Sequence, residues 1–317
     1  MQITDTILMV RPAHFCYNAE TASSNHFQRT TALSPEALQL QAAKEFDVMV
    51  DELRRHEINV FVIDDTAMPI KPDAIFPNNW ISTNRAGVVS IFPMQAQSRR
   101  LEKRADIIQN LRDNFEVTAV QDWSAHENGQ QYLEGTGSMV IDHQHKVIYA
   151  CLSPRTHQAV VEKFADANGY RAITFTAHDL HGKEIYHTNV MMCIGEGFAV
   201  LCPKAITDHD ERVAVAQLLE ATGHENIYIT HGQMTSFAGN MLHIENKKGH
   251  RFVVLSQTAL QSLEEEKKER LQKFGKLLPF EVSTIEQVEG GSVRCMMAEI
   301  FLKRKSASQN KVNPFNY

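Results

Sequence analysis

Apolar residues along this chain come in short alternating bursts set in pairs. Each pair is followed by a stretch of helical spacing and one more burst. Residues 80–83 and 88–92 read as a hairpin around Asn84-Arg85-Ala86-Gly87. A helix from about Ser98 follows, with Leu101, Ala105, Ile108 and Leu111 on one face, then a strand over 117–120. The order recurs as strands 138–141 and 147–151, a helix with Val160 and Phe164, and strand 172–175. It recurs again as strands 190–194 and 198–202, a helix with Val213, Ala216 and Leu219, and strand 227–229. A further unit has strands 241–244 and 252–255, a helix with Leu260, Leu263 and Leu271, and strand 280–285. The last apolar stretch, 293–302, alternates as a strand with no hairpin partner after it.

The missing partners lie at the other end of the chain. Residues 6–10 read as a strand, and 15–31 as a polar loop. Ser34-Pro35 then opens a helix with a capping side chain and a proline at its first position. Ala43, Phe46, Val50 and Leu53 form its buried face, and 58–63 is a strand. Five strand–strand–helix–strand units, with the two chain ends sharing one, describe a closed ring without exposed sheet edges. Strands 6–10 and 293–302 are therefore expected side by side, and 1–317 as a single α/β catalytic domain. The charged run 264–270 reads as the solvated face of an outer helix. Lys303 to Lys305 and the polar residues to Asn316 read as a frayed terminus.

With 43% hydrophobic and 22% charged residues over 317 positions, the chain can bury a large core as a soluble protein. A net charge of −6 argues against a nucleic-acid partner. No apolar run spans a bilayer, and the N-terminus lacks the pattern of a signal peptide. Cys16, Cys151, Cys193, Cys202 and Cys295 are odd in number and form no C-x-x-C pair, so a reduced, cytoplasmic protein is expected. The sequence is silent on oligomeric state.

Candidate chemistry falls at one place in each unit, the loop entering its hairpin. Asp73 and Asn79 precede the first hairpin, Glu134-Gly135-Thr136-Gly137 the second, and His187-Thr188-Asn189 the third. Asn240 opens the fourth, and Cys295, just past Gly290-Gly291, opens the fifth. Singly, Cys295 reads as a small buried hydrophobe, His187 as a satisfied core histidine and Glu134 as a turn cap. Their recurrence outweighs those readings, because in a ring the loops meet on the axis and unite a thiol, an imidazole and a carboxylate. Cys151, Cys193 and Cys202 lie in strands and are expected to be inert. His143 and His145 flank a tight turn with no Cys or carboxylate ligand at suitable spacing, so that turn reads as solvated and no metal is expected. No full phosphate-binding glycine loop and no G-x-S-x-G occurs, and no cofactor is expected.

In order along nearly the whole chain come Met9-Val10-Arg11-Pro12, Asn25-His26-Phe27-Gln28, Pro72-Asp73-x-x-Phe76-Pro77-Asn78-Asn79-Trp80 and Leu133-Glu134-Gly135-Thr136-Gly137-Ser138. His187-Thr188-Asn189-Val190, Phe237-Ala238-Gly239-Asn240 and Gly290-Gly291-Ser292-x-Arg294-Cys295-Met296 complete the series. In this order they resemble the guanidine-modifying enzyme superfamily of arginine deiminases, dimethylarginine dimethylaminohydrolases and amidinotransferases, and most of all the citrulline-utilisation hydrolases. The resemblance implies a five-bladed α/β propeller (the pentein fold). It implies Cys295 as nucleophile, His187 as general acid/base and Glu134 as the carboxylate gripping the substrate's nitrogens. Asp73 matches the position that meets the α-amino group, Phe76 packs near the aliphatic stem, and Arg99 and Arg155 match positions that hold the α-carboxylate. The sequence departs from the arginine deiminases at Asn79 and Asn189, where they carry aspartates.

The expected activity is metal-independent hydrolysis of a C–N bond in a small ureido or guanidino amino acid, most simply citrulline to ornithine. Arginine deiminase, dimethylarginine hydrolase and amidino-transfer activities are the enzymatic alternatives. A non-catalytic propeller that only binds ligands is the alternative from another class.

Overall fold

The computed structural model describes residues 1–306 of the chain. Ser34 caps the first long helix, Pro35–Arg55, by accepting from Ala37 N, and Leu38, Phe46, Met49 and Leu53 are buried on one side of it. They pack on Ile7 and Met9 and on Met296 and Met297 from the other end of the chain.

The strands are β1 Thr6–Arg11, β2 Asn59–Asp64, β3 Ile81–Thr83, β4 Val88–Ile91, β5 Ala119–Asp122, β6 Met139–Asp142, β7 Val147–Leu152 and β8 Arg171–Thr176. They continue as β9 Met192–Ile194, β10 Phe198–Leu201, β11 Glu225–Tyr228, β12 Leu242–Glu245, β13 Arg251–Ser256, β14 Lys276–Phe280 and β15 Ala298–Glu299. They form five mixed, three-stranded sheets, ordered β15-β1-β2, β3-β4-β5, β6-β7-β8, β9-β10-β11 and β12-β13-β14. In each sheet the central strand runs antiparallel to one neighbour and parallel to the other, and a helix bridges the parallel pair. Strand β1 pairs with β15, Ile7 opposite Glu299, as the sequence led us to expect.

Polar bonds link each unit to the next. Thr83 Oγ1 donates to Glu299 O at 3.1 Å and accepts from Phe301 N at 2.8 Å. Asn78 Nδ2 donates to Thr136 Oγ1 at 3.3 Å, and Thr188 Oγ1 donates to Ser138 O at 2.6 Å. Asn240 Nδ2 donates to Asn189 O at 3.0 Å, and Glu245 N donates to Thr4 O at 3.1 Å, just ahead of β1.

Several elements differ from the sequence reading. The strand expected over 293–302 is only β15, because 292–297 is wound into turns in which Cys295 N donates to Ser292 O at 2.9 Å and Met296 N to Val293 O at 3.2 Å. Apolar residues there are buried on every side, which mimics alternation. The strand expected over 280–285 is a helix, Ser283–Glu289, with Ile285 and Val288 inward at helical spacing. The strand lies earlier, as β14, where Pro279 is tolerated because the strand is an edge. The helix expected from Ser98 breaks into Gln97–Arg100 and Ala105–Asn114, and Leu101 faces solvent. The break lets Arg99 and Glu102 both turn inward. The helix carrying Leu260 and Leu271 is likewise two pieces, Gln257–Ser262 and Glu265–Gln272. In His209–Ala221 the buried positions are Val215 and the expected Leu219, with Val213 and Ala216 only half-buried. Within the 15–31 loop, Asn18 caps a short helix, Ala19–Ala22. Residues 303–305 are tied down: Glu116 N donates to Lys303 O at 2.8 Å and Arg304 bridges to Phe115. The rest of the expected frayed terminus lies outside the described residues. Among the described residues, no helix is long and apolar enough to cross a membrane.

Candidate active site

The reactive side chains project from tight turns just ahead of a strand. Pro77–Asn79 precedes β3, Gly135–Ser138 precedes β6 and Thr188–Val190 precedes β9, while Cys295 sits in the turn ahead of β15. Glycines make the close approaches possible. A Cβ at Gly137 would lie 2.4 Å from Asn79 Nδ2 and 2.8 Å from His187 Nδ1, and one at Gly291 would lie 2.7 Å from the Phe76 ring. Gly290 ends the Ser283–Glu289 helix at φ +62°, a left-handed cap that glycine adopts without strain.

These turns enclose a cavity lined by Thr21, Asn25, Asp73, Phe76, Asn79, Arg99, Arg155, Tyr186, His187, Glu289, Gly291 and Cys295. Its volume is about 10 Å³, room for about one water. A wider pocket of about 270 Å³, between Phe27, Leu180, Phe237 and Gln287, contains none of the expected residues. The two adjoin through Phe27, which meets Tyr186 edge-on at 6.1 Å.

At one end of the cavity the groups are amides and a hydrogen-bonded imidazole. Cys295 Sγ has Asn189 Nδ2 at 3.4 Å and Asn240 Nδ2 at 3.3 Å as donors. Asn240 is held from behind, its Oδ1 accepting from Arg294 N at 3.0 Å. Asn189 Oδ1 is buried without a partner. His187 Nε2 lies 2.8 Å from Glu134 Oε2, and Glu134 Oε1 accepts from Gln95 N at 3.0 Å. Burial pushes the Glu134 carboxyl up, but Arg155 and the His187 bond overcome it and hold it at about 2. Burial pushes the His187 imidazole down to about 4 against the pull of Glu134. A thiol between two amide donors, near an imidazole oriented by a carboxylate, suits nucleophilic attack on an electron-poor carbon.

The other end is charged. Glu102 grips Arg99 with two bonds, at 2.9 and 3.0 Å, and Asn79 Oδ1 accepts from its Nη1 at 2.8 Å. Asp73 lies 3.5 Å from the same guanidinium. Arg155 donates to Thr21 O at 3.0 Å and to Ser24 Oγ at 2.8 Å, approaches Glu134 at 3.5 Å and stacks over Tyr186 at 4.9 Å. Asn18 joins two acids, donating from Nδ2 to Asp73 at 2.6 Å and from its backbone to Glu289 at 2.9 Å. Burial, and then the charge of Asp73, raise the Glu289 carboxyl well above the usual carboxylate range.

Of the ten expected residues, Asp73, Phe76, Asn79, Arg99, Arg155, His187 and Cys295 line the cavity. Glu134, Asn189 and Asn240 adjoin it through the bonds above, so the structure brings all ten together. The sequence reading missed Glu289, Tyr186, Glu102 and the cover supplied by Thr21 and Asn25. Glu289 has one signal in the sequence, an acid directly before the Gly290-Gly291 turn, but the strand expected over 280–285 stops short of it and hides the helix that carries it. Burial lifts the thiols of Cys151 and Cys193 to about 12 and that of Cys202 to about 11.

A family model described as N,N dimethylarginine dimethylhydrolase, eukaryotic, matches residues 11–302. No curated protein matches the chain. Among solved structures, apo ArgZ, an arginine dihydrolase from the ornithine-ammonia cycle in cyanobacteria, is 16% identical with a TM-score of 0.71, over 92% of this chain and 40% of that one. The chain thus spans about two fifths of full-length ArgZ. The N-terminal domain of ArgZ, in a substrate-bound mutant, is 15% identical with a TM-score of 0.71 over 93% of this chain and 97% of that one. A dimethylarginine dimethylaminohydrolase mutant, as an adduct with S-methyl-L-thiocitrulline, is 14% identical with a TM-score of 0.64 over 95% of this chain and all of that one.

Proposed function

The chain belongs to the family described as N,N dimethylarginine dimethylhydrolase, eukaryotic, hydrolases of carbon–nitrogen bonds in guanidino compounds, and we propose that within it this enzyme cleaves citrulline to ornithine. The observation that carries the proposal is the setting of Cys295. Its sulfur meets two asparagine amides, and among the described residues the cavity side chains at that end include no carboxylate beyond Glu134, already paired with His187. A guanidinium desolvated there would need more negative charge near its centre. A neutral urea does not, and the unpartnered Asn189 Oδ1 can accept one of its N–H groups.

In this reading Cys295 Sγ attacks the urea carbonyl carbon while its proton passes to His187. Glu134 stabilises the imidazolium, which protonates the departing δ-amine of ornithine as the C–N bond breaks. Cys295 is left carbamoylated. Water deprotonated by His187 then adds to that carbonyl and expels the thiolate, and the carbamate released falls apart to ammonia and carbon dioxide. Arg99 and Arg155 hold the α-carboxylate, Asp73 meets the α-ammonium with Glu289 behind it, and Phe76 packs on the stem. The five sheets act as blades of one propeller carrying a single catalytic unit, a reading supported by the cross-unit bonds from Thr83, Asn78, Thr188, Asn240 and Glu245. The small amino acid is its only partner in the reaction, and neither metal nor cofactor takes part.

The test is kcat/KM for citrulline against arginine and its methylated forms, with products identified and the Cys295 adduct trapped and weighed. Preference for citrulline with a carbamoyl adduct supports the reading, and clear preference for arginine overturns it. A guanidine substrate is the second reading, favoured by the extra acids Asp73 and Glu289 in the cavity, and the same panel decides it.

A further inference from the structure

The β6–β7 turn and the turn ahead of β11 gather three ligating side chains on residues that the cavity does not share. Asp142, wholly buried, has its Oδ2 2.8 Å from His145 Nδ1 and 3.7 Å from His224 Nε2. All three ligand atoms lie within 4.8 Å of one another. The sequence reading set His145 aside for want of a carboxylate at suitable spacing. The fold supplies one from the preceding strand and a second imidazole from a distant turn.

The bonds behind His224 point to a ligand. Thr222 Oγ1 lies 3.0 Å from His224 Nδ1, but its proton is directed to Leu218 O at 2.8 Å or Leu219 O at 3.0 Å. Assigning the ring proton to Nδ1 pairs it with Leu219 O at 3.2 Å, a carbonyl that could not otherwise face a ring nitrogen. That choice leaves the Nε2 lone pair facing a buried carboxylate oxygen 3.7 Å away, acceptor against acceptor, which is unfavourable unless a metal ion or a proton lies between them. Metal-binding histidines are commonly held this way, with the far nitrogen donating to a backbone carbonyl. A second group shares the environment. The Tyr149 hydroxyl is buried near Asp142 and the Thr222 hydroxyl and makes no short hydrogen bond. The β6–β7 register, Val140 opposite Tyr149 and Asp142 opposite Val147, puts both side chains on one face of the sheet.

We propose that Asp142, His145 and His224 bind one divalent transition-metal ion of the zinc type, which staples the β6–β7 turn to the neighbouring unit. Two imidazoles and a carboxylate suit zinc or cobalt, with water in the fourth position and the Tyr149 hydroxyl near it. Metal–ligand bonds of ~2.0–2.1 Å put tetrahedral donors roughly 3.3 Å apart. The two separations at Asp142 bracket that value, and His145, on an exposed turn, can swing to close the third side.

The experiment uses the full chain as Cys295→Ala, which removes the thiol that would itself take up zinc. The metal-stripped protein is titrated with Co²⁺ alone and, separately, dialysed against Zn²⁺. One equivalent retained, a tetrahedral cobalt absorption without a thiolate band, and a raised Tm are expected. His224→Ala should weaken binding by more than the ~10–100-fold typical of outer-shell changes. Because His224 is buried and its loss could unfold the protein, His145→Ala on the exposed turn provides the second variant and should also weaken binding. No retained metal and no cobalt spectrum would overturn the proposal, and a proton between His224 and Asp142 would then relieve the clash. Binding that neither histidine variant changes would overturn it too.

Discussion

The two ends of the cavity solve the same problem, polar groups in a dry space, in opposite ways. Around Cys295 the partners are neutral amides, and His187, its imidazole held neutral at about 4, is tied to the Glu134 carboxylate. Around Arg99 and Arg155 the partners are acids: Glu102 gripping one guanidinium, Asp73 beside it with the raised Glu289 carboxyl behind, and Glu134 within reach of both arginines. A neutral environment leaves a nucleophile free to change its charge during reaction. A charged one fixes the orientation of a zwitterion but offers little to a group whose charge must move. Chemistry at the amide end and recognition at the charged end follow from that contrast.

The largest effect is expected at the amide end. Cys295→Ala should abolish turnover while retaining the fold, whereas Cys193→Ala should leave activity intact. Steady-state kinetics with thermal unfolding checks both, and an active Cys295→Ala enzyme would rule out a covalent route. Next in size is the charged end. Arg99→Ala or Arg155→Ala should cost about 2–5 kcal/mol in kcat/KM, the usual range when a buried, hydrogen-bonded charge loses its partner. Each also strands acids, Glu102 for Arg99 and Glu134 for Arg155, so Tm should fall with it. Substrates lacking the α-carboxylate should be poor for the native enzyme and should lose nothing further in the variants.

A smaller change should blur the contrast. Asn189→Asp combined with Asn79→Asp puts one charge beside Cys295 and a second at the boundary with the charged end, next to Arg99. It should shift the ratio of kcat/KM for arginine over citrulline upward by roughly 10–100-fold, about 1.4–2.8 kcal/mol. An unchanged ratio in a folded protein would sink the charge argument. The smallest response should be to pH. With His187 held at about 4, its working neutral form persists from pH 8 to about 5, so kcat/KM should be flat over that range in citrulline assays and fall below it. Stability follows the same sign. The unfolded chain binds more protons at His187 between 6.5 and 4 and at Glu134 between 4.5 and 2, so this pair's contribution is present at neutral pH and lost as pH falls through those windows.

Much of this was legible in the chain. Ser34-Pro35 marked a helix start because capping is local chemistry, and the paired bursts marked hairpins because strand alternation is local too. What failed was non-local. Residues 293–297 alternate in the sequence, but burial on every side lets them form turns around Cys295. Thr284 and Ile285 are β-branched, yet Ile285 and Val288 find a core only as a helix, and so Glu289 went unseen. Arg99 was found and Glu102 was not, because the helix break that turns both inward is set by what they meet in the cavity. His224 and Asp142 come together only through the packing of one unit on the next.

The cavity has room for about one water, so an amino acid cannot enter while it keeps this shape. The segment 18–28 that covers it is held by Arg155 to Thr21 O at 3.0 Å, Asn25 Nδ2 to Glu289 O at 2.8 Å and Gln28 Nε2 to Glu289 Oε2 at 2.6 Å. Where admission opens this cover, apparent affinity is the intrinsic affinity scaled by the fraction of open molecules. Substitutions in residues 18–28 that never touch substrate can therefore tighten or weaken saturation by changing how often the door stands open.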